Sequence, residues 1–562
     1  MAKVKARTTA KAKATVKAKS MAKSKTKTAG DMGIKRELLT PFRVIAESAF
    51  YMNNVQKVNS IQEAYKLARS NPGTIIIDQK VYMPEKVGYP KNADVLLFND
   101  GNVAGRAAVA RRIFGDEGVS ASEYSAKLRE AVYGVSLKEK MYHAQCYIGL
   151  HEDFMVRANL LIPKGFENNL LSWLSNFQET NKKYQDMYKR SKKINENDIF
   201  IVADPDWTHP DHPYGLSFFS PQENTAFILG MRYFGEFKKG TLTLAWGIAN
   251  RNGYASCHGG LKSYDDRSYV SAFFGLSGSG KSTLTHAKHG GKYKVTILHD
   301  DAFIINDQTH HSIALEPSYF DKTSDYKIGD EANKFIVTAQ NVGVTISEEG
   351  KKILVTEDIR NANGRAIKTR LWSPNRIDKI SKKINAVFWL MKDPCIPPVL
   401  KLNNPVLAST MGATLATKRT SAERLAVGVD PNALVFEPYA NPFRTYPLKD
   451  DYLKFKALFE KGVECYILNT GHFFDAKVQA KHTLGILEAL VEKKNTGFKK
   501  LFGLDAIDYF MPEDIGEPDE EAWKQDFRSQ IEKRIDYLEN IKKMDQLPQE
   551  AVDTLKTMLS LL

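Results

Sequence analysis

The run Tyr269-Val-Ser-Ala-Phe-Phe274 leads without a break into Gly275-Leu276-Ser277-Gly278-Ser279-Gly280-Lys281-Ser282, and Thr283-Leu-Thr-His-Ala287 can continue as a helix. Strand, glycine-rich loop and helix in that order is the arrangement a P-loop requires, so an α/β architecture is expected. The glycines let successive backbone N–H groups curl around a triphosphate, and the helix N-terminus adds its positive end to the same anion. Residues Gly275 to Thr283 are therefore nucleotide-binding candidates. Lys281 is placed to reach the β- and γ-phosphates, and the Ser282 hydroxyl to ligate the nucleotide's magnesium. A second apolar run, Lys294-Val-Thr-Ile-Leu-His299, ends in Asp300-Asp301. Paired carboxylates at the carboxyl end of a strand near such a loop are placed to hold a metal ion that bridges phosphates.

A chain of 562 residues exceeds one compact core, so two large lobes with accessory segments are expected. The boundaries read as a basic tail over 1–32, an N-terminal α/β lobe over 33–250, a loop-bearing lobe over 251–511 and a helical segment over 512–562. No stretch reaches the roughly 18 uninterrupted apolar residues of a membrane span, and no signal-peptide pattern opens the chain. Cys146, Cys257, Cys395 and Cys465 are widely spaced and form no CxxC pair, which argues against a zinc cage or a disulfide framework. A soluble cytoplasmic protein is expected.

The net charge of +14 invites a nucleic-acid reading, but its distribution weakens it. Residues 1–30 hold nine Lys, one Arg and no Asp or Glu; they carry +10 of the total and leave +4 for the other 532 residues. This segment lacks aromatics and cannot bury enough apolar surface to offset its ordering entropy, so it reads as a disordered basic extension. Its composition suits weak contact with polyanions; a nucleic-acid arm and a transit peptide are the other readings.

Gly73-Thr-Ile-Ile-Ile-Asp78 and Asp94-Val-Leu-Leu-Phe-Asn99 read as buried strands, and Ser60 to Ala68 as a helix. Trp523, Phe527, Ile531, Ile535, Leu538 and Ile541 recur at spacings of three and four, which places them on one helix face as core. Asp204-Pro-Asp-Trp-Thr-His-Pro-Asp-His212 is dense in potential ligands, but its prolines mark a loop and its spacing is not that of a helical metal site.

Other motifs narrow the reading. Tyr233-Phe-Gly-Glu-Phe-Lys238-Lys239-Gly240, His258, Ala104-Gly-Arg106, Asn363-Gly-Arg365, Asp393-Pro-Cys-Ile-Pro-Pro-Val399, Ser409-Thr-Met-Gly-Ala-Thr-Leu-Ala416 and Asn469-Thr-Gly471 occur in one order. With the glycine-rich loop they make the chain, from about residue 90 to 490, resemble the ATP-dependent phosphoenolpyruvate carboxykinases. The resemblance implies a two-lobed α/β carboxykinase-like fold with the cleft between the lobes. It implies decarboxylation and phosphorylation of oxaloacetate to phosphoenolpyruvate, with ATP converted to ADP.

By the same resemblance Lys239, His258 and Asp301 hold a transition metal, Mn²⁺, while Mg²⁺ travels with the nucleotide at Ser282. Arg106, Tyr233, Lys238 and Arg365 bind the substrate. Lys239, Lys281, Ser277, Arg365 and Asp300 serve catalysis, and Lys477 and Thr483 extend the nucleotide set. A lysine ligand must be neutral, and the like charge of Lys238 beside Lys239 is one way to depress its pKa. The chain departs from the family after His258, where Gly259-Gly260-Leu261 replaces the start of a Cys-Ser-Ala-Asn run. It departs again after Arg106 and after Gly471, where a glycine-rich insert is missing and Lys477 stands near an expected arginine. Two alternatives remain open: a diverged kinase on the same scaffold with another small-molecule or protein acceptor, and a nucleic-acid-associated ATPase that uses the basic tail.

Overall fold

The computed structural model describes residues 40–99, 105–276, 278–357, 364–419, 424, 428–430, 433–494 and 496–562. The basic extension, Ala104, Ser277 and Asn363 lie outside the described residues. Within them the fold is mixed α/β, with sheets of eight, eleven and five strands and three two-stranded ribbons. The runs read as strands form Thr74–Lys80 and Asp94–Phe98, and Ser60 caps the helix Ile61–Ser70 by accepting from Glu63 N.

Strand pairing crosses residue 250. The five-stranded sheet joins Thr74–Lys80 and Asp94–Phe98 to Tyr319–Lys322, Ile336–Gln340 and Arg365–Lys368, the last three lying beyond the glycine-rich loop in sequence. Arg365 thereby lies opposite both Lys322 and Gln340, and the Gln340 side chain accepts from Phe234 N at 3.0 Å.

Helix α1 (Phe234–Arg251) is buried on almost every face. Its buried residues include Glu236, Lys238, Thr241 and Thr243 beside the apolar ones, so polar side chains are carried into the interior with it. It packs between Thr225–Leu229 of the eight-stranded sheet and strand β1 (Tyr254–Tyr264) of the eleven-stranded one. Beyond β1 follow β2 (Tyr269–Phe274), α2 (Lys281–His286), β3 (Val295–His299), β4 (Ala302–Asn306), β5 (Ala386–Met391), β6 (Glu464–Asn469), α3 (Ala480–Val491) and α4 (Glu520–Glu539).

In the eleven-stranded sheet β2, β5 and β6 run parallel, and β1 pairs antiparallel with β2. The carboxyl ends of parallel strands open on a crevice where ligands bind. Here those ends are the loop after Phe274, Lys392 and Thr470. The strand before Asp300 pairs with β1, so it lies one strand away from the loop's own strand.

Helix α4 buries Trp523, Phe527, Ile531, Ile535 and Leu538 as the spacing implied, and Ile541, just past its end, is partly buried against the same core. The stripe did not mark Arg534, which is buried on this helix and pairs with buried Asp393 at 3.0 Å. No helix among the described residues is long and apolar enough to cross a membrane.

Candidate active site

The β1–β4 register sets the site. His258 lies opposite Ala302, and Gly259 N donates to Asp301 O at 3.0 Å, so the histidine and the aspartate meet at the end of the pairing. His299 tightens the turn between β3 and β4: its Nδ1 accepts from Asp301 N at 3.0 Å and Ala302 N at 3.3 Å. The first turns of α1 bring two lysines to the same point. Lys238 Nζ donates to the Asp301 carboxylate at 2.6 Å and Lys239 Nζ at 2.8 Å. His258 Nε2 lies 3.0 Å from Asp301 Oδ1, and Lys281 Nζ, from the glycine-rich loop, lies 3.7 Å from the same oxygen.

These neighbours sort the protonation states. Burial raises the Asp301 carboxyl, but Lys238, Lys239, His258 and Lys281 outweigh it and hold the group well below the usual carboxylate range. Burial alone would lower Lys238, yet Asp301 and Glu316, the latter at 3.1 Å, keep its ammonium above the ordinary lysine range. Lys239 is pulled down to about 8, first by burial and then by Lys238 and Lys281, against the pull of Asp301. The neighbouring like charge is thus a contributor, and burial is the main cause. Burial, Lys281 and Lys239 lower His258 to about 3, so its imidazole is neutral at pH 7. Its Nδ1 faces the Ala440 carbonyl, which leaves the Nε2 lone pair for the Asp301 side.

This donor chemistry fits a divalent cation. An amine that titrates near neutrality, an imidazole held in one tautomer by a carbonyl, and an ionised carboxylate form a mixed N/O set. Among the described residues no group of three or more His, Cys, Asp or Glu side chains could hold a metal; here the third donor is a lysine.

The cluster forms one wall of a cleft of about 250 Å³. Arg106, Tyr233, Lys239, His258, Asp300, Asp301 and Arg365 line it, together with Leu276, Gly278, Gly280, Lys281, Ser282 and Thr283. Gly278 and Gly280 have φ of 77° and 85°, a backbone that L side chains rarely adopt. Ser279 and Gly275 are in the loop without lining the cleft. Asp300 is held below the carboxylate range against its burial by His286, 3.3 Å away, and by the Ser282 hydroxyl. Arg106 stands over the Phe443 ring at 5.1 Å, and buried Arg365 donates to Gly364 O at 3.1 Å.

Lys238, a substrate-binding candidate, is fully buried and does not line this cleft, and neither do two of the nucleotide-binding candidates outside the loop. Lys477 is exposed on the ribbon His472–Phe473/Ala476–Lys477, and the buried Thr483 hydroxyl donates to Ala480 O in its own helix. Ser277 lies outside the described residues. Sequence reasoning missed Glu316, His299 and Lys322. Glu316 is fully buried, accepts from Asn176 Nδ2 at 2.6 Å, and pairs with Lys238 at 3.1 Å. Its only sequence signal is a carboxylate just after an apolar run, Ser312-Ile-Ala-Leu-Glu316.

A family model described as phosphoenolpyruvate carboxykinase matches residues 101–516, well over half of the chain. The chain belongs to the phosphoenolpyruvate carboxykinase family. Family relatives named phosphoenolpyruvate carboxykinase (ATP) include one from Aeropyrum pernix, 27% identical over 292 residues, which covers 50% of this chain and 58% of the relative. A second, from Dictyostelium discoideum, is 23% identical over 403 residues, 66% of this chain and 67% of the relative. Phosphoenolpyruvate carboxykinase (ATP) 2 from Urochloa panicoides is 27% identical over 297 residues, 50% and 45% of the two chains. The chain therefore spans little more than half the length of the Aeropyrum carboxykinase. The family match contains every cleft residue named above and stops before α4.

Proposed function

We propose that this chain is an ATP-dependent phosphoenolpyruvate carboxykinase that converts oxaloacetate and ATP to phosphoenolpyruvate, CO₂ and ADP. The observation that carries this reading is the Asp301 carboxylate, which has Lys239, His258 and the loop lysine Lys281 all within 4 Å. A metal-ligating set and a phosphate-binding lysine that share one carboxylate suit a reaction in which an enolate and a γ-phosphate must meet.

In this reading the cleft lies between two lobes, and the loop bearing Lys281 is a P-loop. Lys239, His258 and Asp301 would hold a divalent cation, Mn²⁺ by their N/O donor set, which would supply charge stabilisation for developing negative charge, and Ser282 would ligate the Mg²⁺ of ATP. Arg106 and Arg365 bind substrate carboxylate and phosphoryl oxygens, a task suited to the planar guanidinium, and Tyr233 fills the wall beside them. Lys238 stays charged and keeps the Asp301 carboxylate ionised. The C–C bond to the departing carboxylate breaks, its electron pair forms the enolate, and CO₂ leaves. The enolate oxygen then bonds to the γ-phosphorus as the bond to the bridging oxygen breaks, and ADP departs with that electron pair. Lys281 faces the charge that develops on the transferred group.

The test is Mn²⁺- and ATP-dependent formation of phosphoenolpyruvate from oxaloacetate by the full chain, with Lys239→Ala and Lys281→Ala beside it. Turnover that falls by about 100-fold or more in each variant is the expected outcome. Tight ATP binding with inert oxaloacetate would sink the substrate assignment and point to another phosphate acceptor.

A further inference from the structure

The residues that depart from the family after His258 form one structural unit. On β1 alternate side chains share a face, so His258, Gly260, Lys262 and Tyr264 all point to the side on which α2 lies. A Cβ on Gly260 would stand 1.9 Å from Thr285 Oγ1, so the bare glycine lets α2 rest directly on the strand. Two residues on, Lys262 is fully buried, and its Nζ donates to Leu284 O at 2.6 Å and to Ala287 O at 3.4 Å. These carbonyls belong to the last turn of α2 and the residue that ends it, where a helix leaves acceptors unpaired and favours a cation.

The ammonium is enclosed on its other sides. His289 Nε2 lies 3.1 Å away, and the rings of Tyr264 and Phe273 face it at 4.9 and 5.8 Å. His289 Nδ1 meets Glu488 on α3 at 2.9 Å, and Lys292 pairs with the same carboxylate at 3.2 Å. Lys262 thus fastens the far end of the six-residue helix that begins with Lys281, and links it through His289 to α3.

We propose that Lys262 is a positioning residue for the nucleotide: it fixes the axis of α2 and so aims Lys281 and Ser282 at the phosphates. This inference rests on the reading that the glycine-rich loop binds ATP, and it does not depend on which acceptor takes the phosphate. Helix α2 is too short to hold its own orientation, because helices of a few residues owe their stability to packing. Burial also lowers the Lys262 ammonium to about 7 against the pull of Glu488, and such perturbed buried groups cluster at functional sites.

The test is the dissociation constant of MgATP by calorimetry on the full chain, with steady-state KM values for ATP and oxaloacetate alongside. Lys262→Met keeps the length and loses the cap; Lys292→Met, which loses an exposed contact to the same Glu488, is the control. The expected result is a rise of about tenfold in Kd and KM for ATP in Lys262→Met only, with the KM for oxaloacetate and the melting temperature nearly unchanged. An ATP affinity within twofold of wild type overturns the proposal, even where kcat falls. If Lys262→Met does not fold, His289→Leu must weaken ATP by about threefold with oxaloacetate unaffected, or the proposal fails. A wild-type chain that binds no MgATP overturns this inference, whereas one that binds MgATP yet leaves oxaloacetate inert fails only the proposed function and leaves the calorimetric comparison decisive.

Discussion

At the scale of single residues, two adjacent lysines carry different chemistry because their carboxylate neighbours differ in number. Lys238 has Asp301 and Glu316, whereas Lys239 has Asp301 alone among its ion-pair partners and two other lysines nearby. Glu316→Gln keeps the shape and the Asn176 contact but removes one of the two charges that hold the buried Lys238. It should destabilise the fold by about 2 kcal/mol and lower turnover at least about tenfold, because removing a partner leaves a buried charge less compensated. Urea unfolding and initial rates on the same preparation check both. The Lys-Lys pair and His258 were legible in the sequence through their motif. Glu316 was not, because a lone carboxylate at the end of an apolar run carries no signal until the chain folds back on α1.

At the scale of elements, strand β1 does several tasks with one face. It offers His258 to the cleft, Gly260 to the helix and Lys262 to the helix end. Gly260→Ala should therefore act on the glycine-rich loop from behind. Thr285 Oγ1 donates to Lys281 O at 2.8 Å, so it yields only by giving up a bond within α2. Overpacking of this kind costs about 1–3 kcal/mol. The expected outcome is a lower melting temperature with weaker ATP binding, partly restored in the double variant Gly260→Ala/Thr285→Ala, which a thermal melt and a nucleotide titration together would reveal. The strand–loop–helix order was readable from residue types alone. The position of Asp300-Asp301 was readable only in part, because their strand pairs with β1 rather than with the loop's strand.

At the scale of the whole molecule, the buried network around Asp451 links stability to pH. Burial raises Asp451, on the helix Leu448–Glu460, from the ordinary range to about 7, against the opposing pull of Arg444 and Lys454. Tyr446 donates to its Oδ1 at 3.2 Å, and Arg444 pairs with Asp545 at 3.0 Å near the C-terminal helices. Between about pH 4 and 7 the folded chain keeps a proton on Asp451 that the unfolded chain has released. Stability from this group therefore falls as pH rises through that window, by an amount on the order of 4 kcal/mol, and is flat above it. Asp451→Asn should remove that slope and raise the urea midpoint at pH 8 relative to wild type; an unchanged slope from pH 4.5 to 7.5 would show that Asp451 is ionised throughout.

The sequence by itself determined the α/β class, the glycine-rich loop with Lys281, the strands around it and the apolar stripe of α4. Each of these is written in local spacing: runs of apolar residues, glycines at fixed intervals, a recurrence of three and four. Tertiary structure alone decided that residues 319–368 join the strands at 74–98, that Glu316 holds Lys238, and that Lys262 closes the helix behind the loop. These depend on which distant strands pair and on how far burial shifts a charged group. Both are sums over many contacts remote in sequence, so no short motif records them.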